Sequence, residues 1–414
     1  MSALVDAPVR GPAGAVARAW ARLPWWGTVL VVYAGARLWS AAVLVGVAHH
    51  QVATLWTGPD PSYLQYTGVM WDASWYRQIA EHGYPATLPL GADGLVQQNA
   101  WAFFPLFPFL VRGVMVATTG PWYVVAPIVA TLLGAVAMLV IHRLVVVGAP
   151  RAVAAHPGLP LATVLLVSVF PSSVVLQTGY TESLALVLIA GSLLALVLRR
   201  YWLMAGLVLA LGFTRAVALP MALVVVVHAA VRWRRSRLGT DRLRRADVVG
   251  LGGLAVAAAV SGLAWPAICG WVTGVPDAYL QTQGAWRGDR HVAPFVPWGY
   301  AAQFWFGGWA PVVLAIVAAT VVALVVSRSS RRLGPELFSW SPLYLGYLAA
   351  VIEPGTSVFR FALLAFPMAT ITAGLPSARW RRPVVLAVAL AMAALQVLWA
   401  YQLWRLVPPS GWPP

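Results

Sequence analysis

The feature that most limits this chain is a series of long apolar runs with arginines gathered after every second one. The runs cover about residues 26–48, 122–142, 159–177, 181–198, 201–214, 216–231, 248–269, 308–326, 337–352, 361–376 and 383–405. A bilayer core of about 30 Å is crossed by roughly 20 apolar residues in a helix. Ahead of the first run stand Arg10, Arg18 and Arg22. After the second come Arg143 and Arg151, and after the fourth Arg199 and Arg200. Seven arginines fall between Arg232 and Arg245; Arg328, Arg331 and Arg332 follow, then Arg379, Arg381 and Arg382. If the runs are helices that cross alternately, all these arginines share one side, and the positive-inside rule makes that side cytoplasmic. Most acids go the other way: Asp60, Asp72, Glu81, Asp93, Glu182, Asp277, Asp289 and Glu353 lie on the opposite side or near membrane ends.

Composition agrees. The chain is 60% hydrophobic and 10% charged, whereas a soluble domain has about a quarter charged residues. The net charge of +16 is therefore a topology signal and points to no nucleic acid partner. The 28 basic residues are all arginine, and the one cysteine, Cys269, excludes an internal disulfide framework. The expected fold is an all-α polytopic bundle of about 11 transmembrane helices. Residues 1–25 form a cytoplasmic lead-in, 26–406 the membrane domain and 407–414 a short tail. Outer loops span 49–121 and 270–307, the first long and carrying interfacial helices, the second read as loop with interfacial aromatics. The runs 201–214 and 216–231 are short. Two half-length helices meeting at Thr214-Arg215 keep the alternation, with Gly212 and Pro220 favouring the break.

Chemistry concentrates in the first outer loop, in "WDASWYRQIAEHGYP" (residues 71–85). Trp71, Trp75 and Ile79 are four apart, Asp72 and Tyr76 share the adjoining face, and Arg77 can pair with Glu81. Gly83 suits a helix C-cap and Pro85 stops continuation. The spacing predicts a short helix over 72–82, its tryptophans in the membrane interface and Asp72 at the outer surface. Asp72 is either a helix cap or a catalytic carboxylate; with Trp75 at the third helical position there is no capping box.

Other polar residues near the outer end are candidates as well. Glu182, in "GYTESL" with Tyr180, opens an apolar helix, where a carboxylate either complements the dipole or accepts from sugar hydroxyls. Arg215 and Arg360 stand away from every cytoplasmic cluster, and arginines at membrane depth are functional by default. A Glu353–Arg360 salt bridge is the structural alternative. Arg287 and His291 flank "GDR" in the second loop, as headgroup ligands or as a solvated charge run. Arg37, inside the first run, should face the bundle and could tie that span to the catalytic loop. His49-His50 near Asp60 lacks the ligand set of a metal site, and no Walker loop or Ser-His-Asp pattern appears.

In order along the chain, "WDASWYRQIAEHGYP", "FFPLFPFLVR", "FPSSVVLQTGYTESL" and "GFTRAVALP" resemble the PIG-V-like mannosyltransferases, polytopic enzymes of the GT-C class. The motifs cover residues 30–230, and the topology extends to the C-terminus, where "PGTSVFRFALLAFP" is similar to a phosphate-facing segment of related enzymes. The chain departs from the family at Phe107, where tyrosine is usual, and at Ala216-Val217, where proline or asparagine and then glycine are usual. The resemblance implies inverting transfer of a mannosyl residue from a polyprenyl-phosphate donor to a hydroxyl of a lipid or glycan acceptor, on the outer face of a bacterial plasma membrane. It implies Asp72 as the base, with Trp71, Trp75, Tyr76, Tyr180, Glu182, Arg215, Arg287, His291 and Arg360 as substrate ligands. It implies no metal and no cofactor beyond the lipid-linked sugar. The other class considered is a flippase or transporter of lipid-linked sugars. That would be expected to show two related halves, whereas here polarity collects in one loop.

Overall fold

The computed structural model describes residues 22–287 and 292–408, and these contain helices and loops but no strand. The helices of the first half are α1 (Trp25–Ala48), α2 (Tyr63–Val69), α3 (Asp72–His82), α4 (Leu106–Thr118), α5 (Trp122–Gly148) and α6 (Pro150–Ala155). They continue with α7 (Leu159–Ser168), α8 (Glu182–Val197), α9 (Tyr201–Gly212) and α10 (Ala218–Arg237). The second half contains α11 (Arg245–Thr273), α12 (Ala278–Gly284), α13 (Val296–Phe306) and α14 (Ala310–Val326). It ends with α15 (Pro335–Val351), α16 (Val358–Ala362), α17 (Pro367–Gly374) and α18 (Arg381–Trp399).

Among the described residues, five helical stretches are long and apolar enough to cross a membrane: 25–48, 122–148, 245–273, 296–332 and 381–404. With the shorter apolar helices packed between them, they make an integral membrane protein. Each apolar run of the sequence has its helix, but two are interrupted. The run 159–177 is helical only to Ser168, and the chain turns at Phe170-Pro171 into a 3₁₀ turn over Ser173–Gln177. The run 361–376 breaks before Pro367, which opens α17. Proline disfavours the α conformation of the residue before it and donates no hydrogen bond. The second outer loop is more regular than expected, because Pro297, in the first turn of α13, helps to start a helix there.

Broken backbone at membrane depth needs internal partners. Arg37 provides them, donating to the carbonyls of Ser168 and Ser173. Gln396 of α18 donates to the Phe170 carbonyl and to Ser173 Oγ, at 3.2 and 2.8 Å. Arg37 thus ties the first span to the break after α7, not to the loop 49–121. Its partner was invisible in the sequence because it is main chain.

The alternation read from the arginines holds in three dimensions. Gly334 N–H, before α15, donates to the carbonyl of Gly148 at the end of α5 (2.9 Å). Arg199, after α8, pairs with Asp241, between α10 and α11 (3.1 Å). His228, midway along α10, meets Glu336 at the start of α15 (2.6 Å). The opposite end of the bundle gathers the starts of α5 and α8, the α9–α10 break and the end of α15. There the loop 49–121 folds back as α2, α3 and α4. The main chain of Leu106 donates to the carbonyl of Phe213 in the α9–α10 break (2.9 Å). Gly212 lets α9 approach α11, since a Cβ there would lie 2.4 Å from the Ser261 carbonyl oxygen.

Candidate active site

The expected helix over 72–82 forms with those bounds, closed by Gly83 at φ 80° and carrying the Arg77–Glu81 pair at 2.9 Å. Its setting differs from expectation. Trp71 and Ile79 are buried, and Trp75 is half-buried, stacked on Phe103 and edge-on to Trp286. The apolar face of α3 packs against protein because the loop after it folds over as an aromatic layer. Hydropathy alone cannot tell such a partner from lipid.

Asp72 is the first residue of α3, and the residue before it, Trp71, takes φ 57°. A bulky side chain at positive φ is uncommon and costs of order 1–3 kcal/mol, held only where the surroundings over-determine it. They do so here. The Trp71 indole N–H donates to the Trp404 carbonyl (2.7 Å), its ring meets Trp56 at 5.3 Å, and Asp72 N–H donates to Tyr180 Oη (3.2 Å). Asp72 therefore caps nothing with its side chain. Among the described residues, the hydrogen-bond partner of its carboxylate is Arg360 Nη2.

Four charges from distant segments converge. Arg360 on α16 joins Asp72 through Nη2 and Glu182 Oε1 through Nη1 (3.2 Å), and Arg215 Nη1 reaches the same Glu182 oxygen at 2.8 Å. Both guanidinium groups lie over the Phe361 ring, at 4.5 and 4.9 Å, and Arg360 also lies over Tyr180 at 5.0 Å. Glu182 is the first residue of α8, where the helix dipole favours a carboxylate, and it is fully enclosed. The Glu353–Arg360 bridge considered from sequence is replaced by bonds to Asp72 and Glu182. Burial, and next the Asp72 charge, push the Tyr76 phenol well above its ordinary value, so it remains a donor.

A cavity of about 730 Å³ opens beside this cluster. Asp72, Tyr76, Arg215, Arg287 and Arg360 line it, which brings together half of the residues expected at the site. Trp71, Trp75, Tyr180 and Glu182 do not line it. The tryptophans brace α3, Tyr180 supports Asp72 from behind, and Glu182 sits behind the two arginines it holds. Expected as direct ligands, these four stand back from the cavity: the interrupted helix after Ser168 carries Tyr180 and Glu182 inward, and the tryptophans pack against protein. Arg287 donates to the Val351 carbonyl (3.2 Å); His291 lies outside the described residues.

Sequence reasoning missed Gln283, Trp286 and Tyr300 on one wall and Tyr344 and Tyr347 on the other. The spacing of Tyr344 and Tyr347, three apart in an otherwise apolar run, was the available signal. Among the described residues no three His, Cys, Asp or Glu side chains converge as metal ligands. His49 and Asp60 form an exposed pair at 2.7 Å.

No family model matches the chain, and no curated protein does. Among solved structures it is similar to the archaeal oligosaccharyltransferase AglB from Archaeoglobus fulgidus in complex with an inhibitory peptide and a dolichol-phosphate. That likeness has a TM-score of 0.45 at 12% identity, over 91% of this chain and 55% of that one. The chain thus spans about half the length of that protein.

Proposed function

We propose that this protein is a GT-C-type glycosyltransferase. It would move a sugar, mannose by the motif resemblance, from a polyprenyl-phosphate donor to a hydroxyl acceptor on the extracytoplasmic face. The observation that carries the reading is one cavity holding a carboxylate and two buttressed guanidinium groups at the bundle end opposite the arginine clusters.

The chemistry follows from where a lipid-linked sugar must sit. Its tail stays in hydrocarbon, so its phosphate and sugar lie at headgroup level. The flank of the cavity made by Pro297, Tyr300 and Phe304 of α13 with Leu348 and Val351 of α15 is apolar and aromatic, which suits an isoprenoid. Arg215 and Arg360 would receive the phosphate through charge-assisted hydrogen bonds. In a single displacement the acceptor oxygen bonds to the anomeric carbon as the bond to the phosphate oxygen breaks. The acceptor proton passes to Asp72, and the bonding pair leaves with the phosphate. The charge of the site is conserved through this step, since the negative charge lost by Asp72 appears on the leaving phosphate. Configuration inverts at the anomeric carbon.

The test is transfer by purified protein supplied with radiolabelled polyprenyl-phosphate mannose and membrane acceptor extract, comparing wild type with Asp72→Asn. Labelled product from wild type alone supports the reading. Equal transfer by both proteins removes Asp72 from the chemistry. Passage of intact labelled donor across vesicles without product would make the protein a flippase instead.

A further inference from the structure

The two roles just assigned conflict in the conformation described above. Both roles draw on one bond: Asp72 Oδ2 and Arg360 Nη2 are joined to each other, so the carboxylate faces substrates with Oδ1 alone and the guanidinium edge a phosphate would take is shared. Arg360 has few alternatives. Its Nε is enclosed by protein and, among the described residues, without a hydrogen-bond partner, and its Nη1 is committed to Glu182. The remaining edge is Nη2, the one that Asp72 occupies. With 6% of its side chain exposed, Arg360 offers an incoming anion the same edge.

Arg215 is differently placed. It is 15% exposed and spends only Nη1 on Glu182, so it can take a phosphate oxygen without releasing anything. Glu182 Oε2 is also enclosed and unpartnered among the described residues. Buried polar atoms left unpaired cost about 1–3 kcal/mol each. The cluster therefore holds an unpaired acceptor and an unpaired donor, Glu182 Oε2 and Arg360 Nε, on two residues already joined through Nη1.

From the donor reading above, the geometry points to an exchange: the donor's phosphate displaces Asp72 from Arg360, and the base is released only when the donor is in place. The phosphate docks on Arg215 and competes for Arg360 Nη2. Glu182 keeps hold of both guanidinium groups throughout, and so acts as the positioning residue of the exchange. Two anions on one nitrogen repel, which turns Asp72 toward the cavity, where the acceptor hydroxyl arrives. The empty enzyme keeps its base engaged and does not activate water against nothing.

The experiment is a double-mutant cycle on binding of a short-chain polyprenyl phosphate lacking the sugar, in detergent micelles. The proteins are wild type, Asp72→Asn, Arg360→Gln and the double variant. Asp72→Asn should bind the lipid phosphate about 5–150-fold more tightly, the usual range of coupling between sites. In the Arg360→Gln background the gain should shrink to less than about threefold, because the exchange partner is gone. Equal or weaker binding by Asp72→Asn overturns the exchange, since Asp72 would then only anchor Arg360. A gain that survives Arg360→Gln undiminished also overturns it, as loss of a nearby charge would explain everything.

Inorganic phosphate serves as a second probe. The coupling seen with lipid phosphate, with or without inorganic phosphate, supports the exchange; coupling seen with inorganic phosphate alone overturns it for a lipid donor. If no variant binds lipid phosphate, the donor reading falls and the exchange with it, whereas binding without the coupling sinks the exchange alone. Infrared difference spectra of wild type and Asp72→Asn provide a check independent of affinity. Lipid phosphate should shift a carboxylate band that Asp72→Asn lacks; no shift counts against release.

Discussion

The molecule carries two buried ionic clusters, at opposite ends of the bundle, and they are built to different standards. At the arginine-rich end Arg232 is saturated. Its Nε and Nη2 reach Asp241, its Nη1 reaches Tyr201, and its Nη2 also reaches Asp247 and the Arg242 carbonyl. Arg199 adds a two-pronged bond to Asp241, and His228 joins Tyr201 to Glu336. At the other end Arg360 Nε and Glu182 Oε2 are enclosed and unpaired among the described residues, beside a cavity and next to a strained Trp71. A cluster that satisfies itself holds helices together. The other keeps bonding capacity beside a cavity, which is what the proposed donor site requires.

Four measurements put that contrast at risk. The largest effect belongs to the unsatisfied cluster. Asp72→Asn should lower transfer by about 10²–10⁴-fold, the usual worth of a general base, while the melting temperature in detergent stays within a few degrees of wild type. A large drop in melting temperature would make the cluster structural after all. In the satisfied cluster the signs reverse. Arg232→Ala removes the partner that Asp241 and Asp247 share, leaving Asp241 to Arg199 and Asp247 to the Arg244 N–H, and should cost about 1–3 kcal/mol of stability, read from thermal unfolding, with the transfer rate per folded molecule unchanged.

The third concerns acid. The hydrogen bonds from Arg232 hold the Asp241 carboxyl well below its usual range. The folded state then binds fewer protons there than the unfolded state. Its contribution is complete above the unfolded Asp value of about 3.9 and is lost as pH falls further. Melting temperature should decline below about pH 4, and Asp241→Asn should start lower and flatten that decline; parallel curves would remove Asp241 as a source. The smallest effect is expected between the clusters' extremes of burial, at the exposed Arg77–Glu81 pair on α3. Arg77→Ala should change stability by no more than about 0.5 kcal/mol and leave transfer intact. A strong loss of transfer would extend the site to the outer face of α3.

Much of this was legible along the chain. The positions of Arg199, Arg232 and Arg331 announced the sidedness of the helices, because charge in loops is a local quantity. The bounds of α3 were readable from Gly83 and Pro85, and the convergence of Asp72, Arg215 and Arg360 was foreseeable as three polar residues in outer-end segments. What could not be read is which of them touch. Glu182 was read as facing a sugar, and it lies off the cavity bonded to Arg215 and Arg360, since the turn after Pro171 directs it behind them. Trp71 and Trp75 looked like interfacial anchors and instead pack on Trp56 and Phe103.

Local composition settles which segments leave water and which of their ends carry the arginines. Apolar runs partition into hydrocarbon and arginines stay on one side of it, and both preferences are summed residue by residue. Only the tertiary structure decided partners: that Arg37 would serve the main chain after Ser168, that Arg360 would choose Asp72 and Glu182 over the nearby Glu353, and that four charges would meet beside one cavity. Ion pairs and hydrogen bonds act over a few ångströms, here between residues 33 to 288 positions apart. No spacing along the chain encodes that distance until the helices have packed.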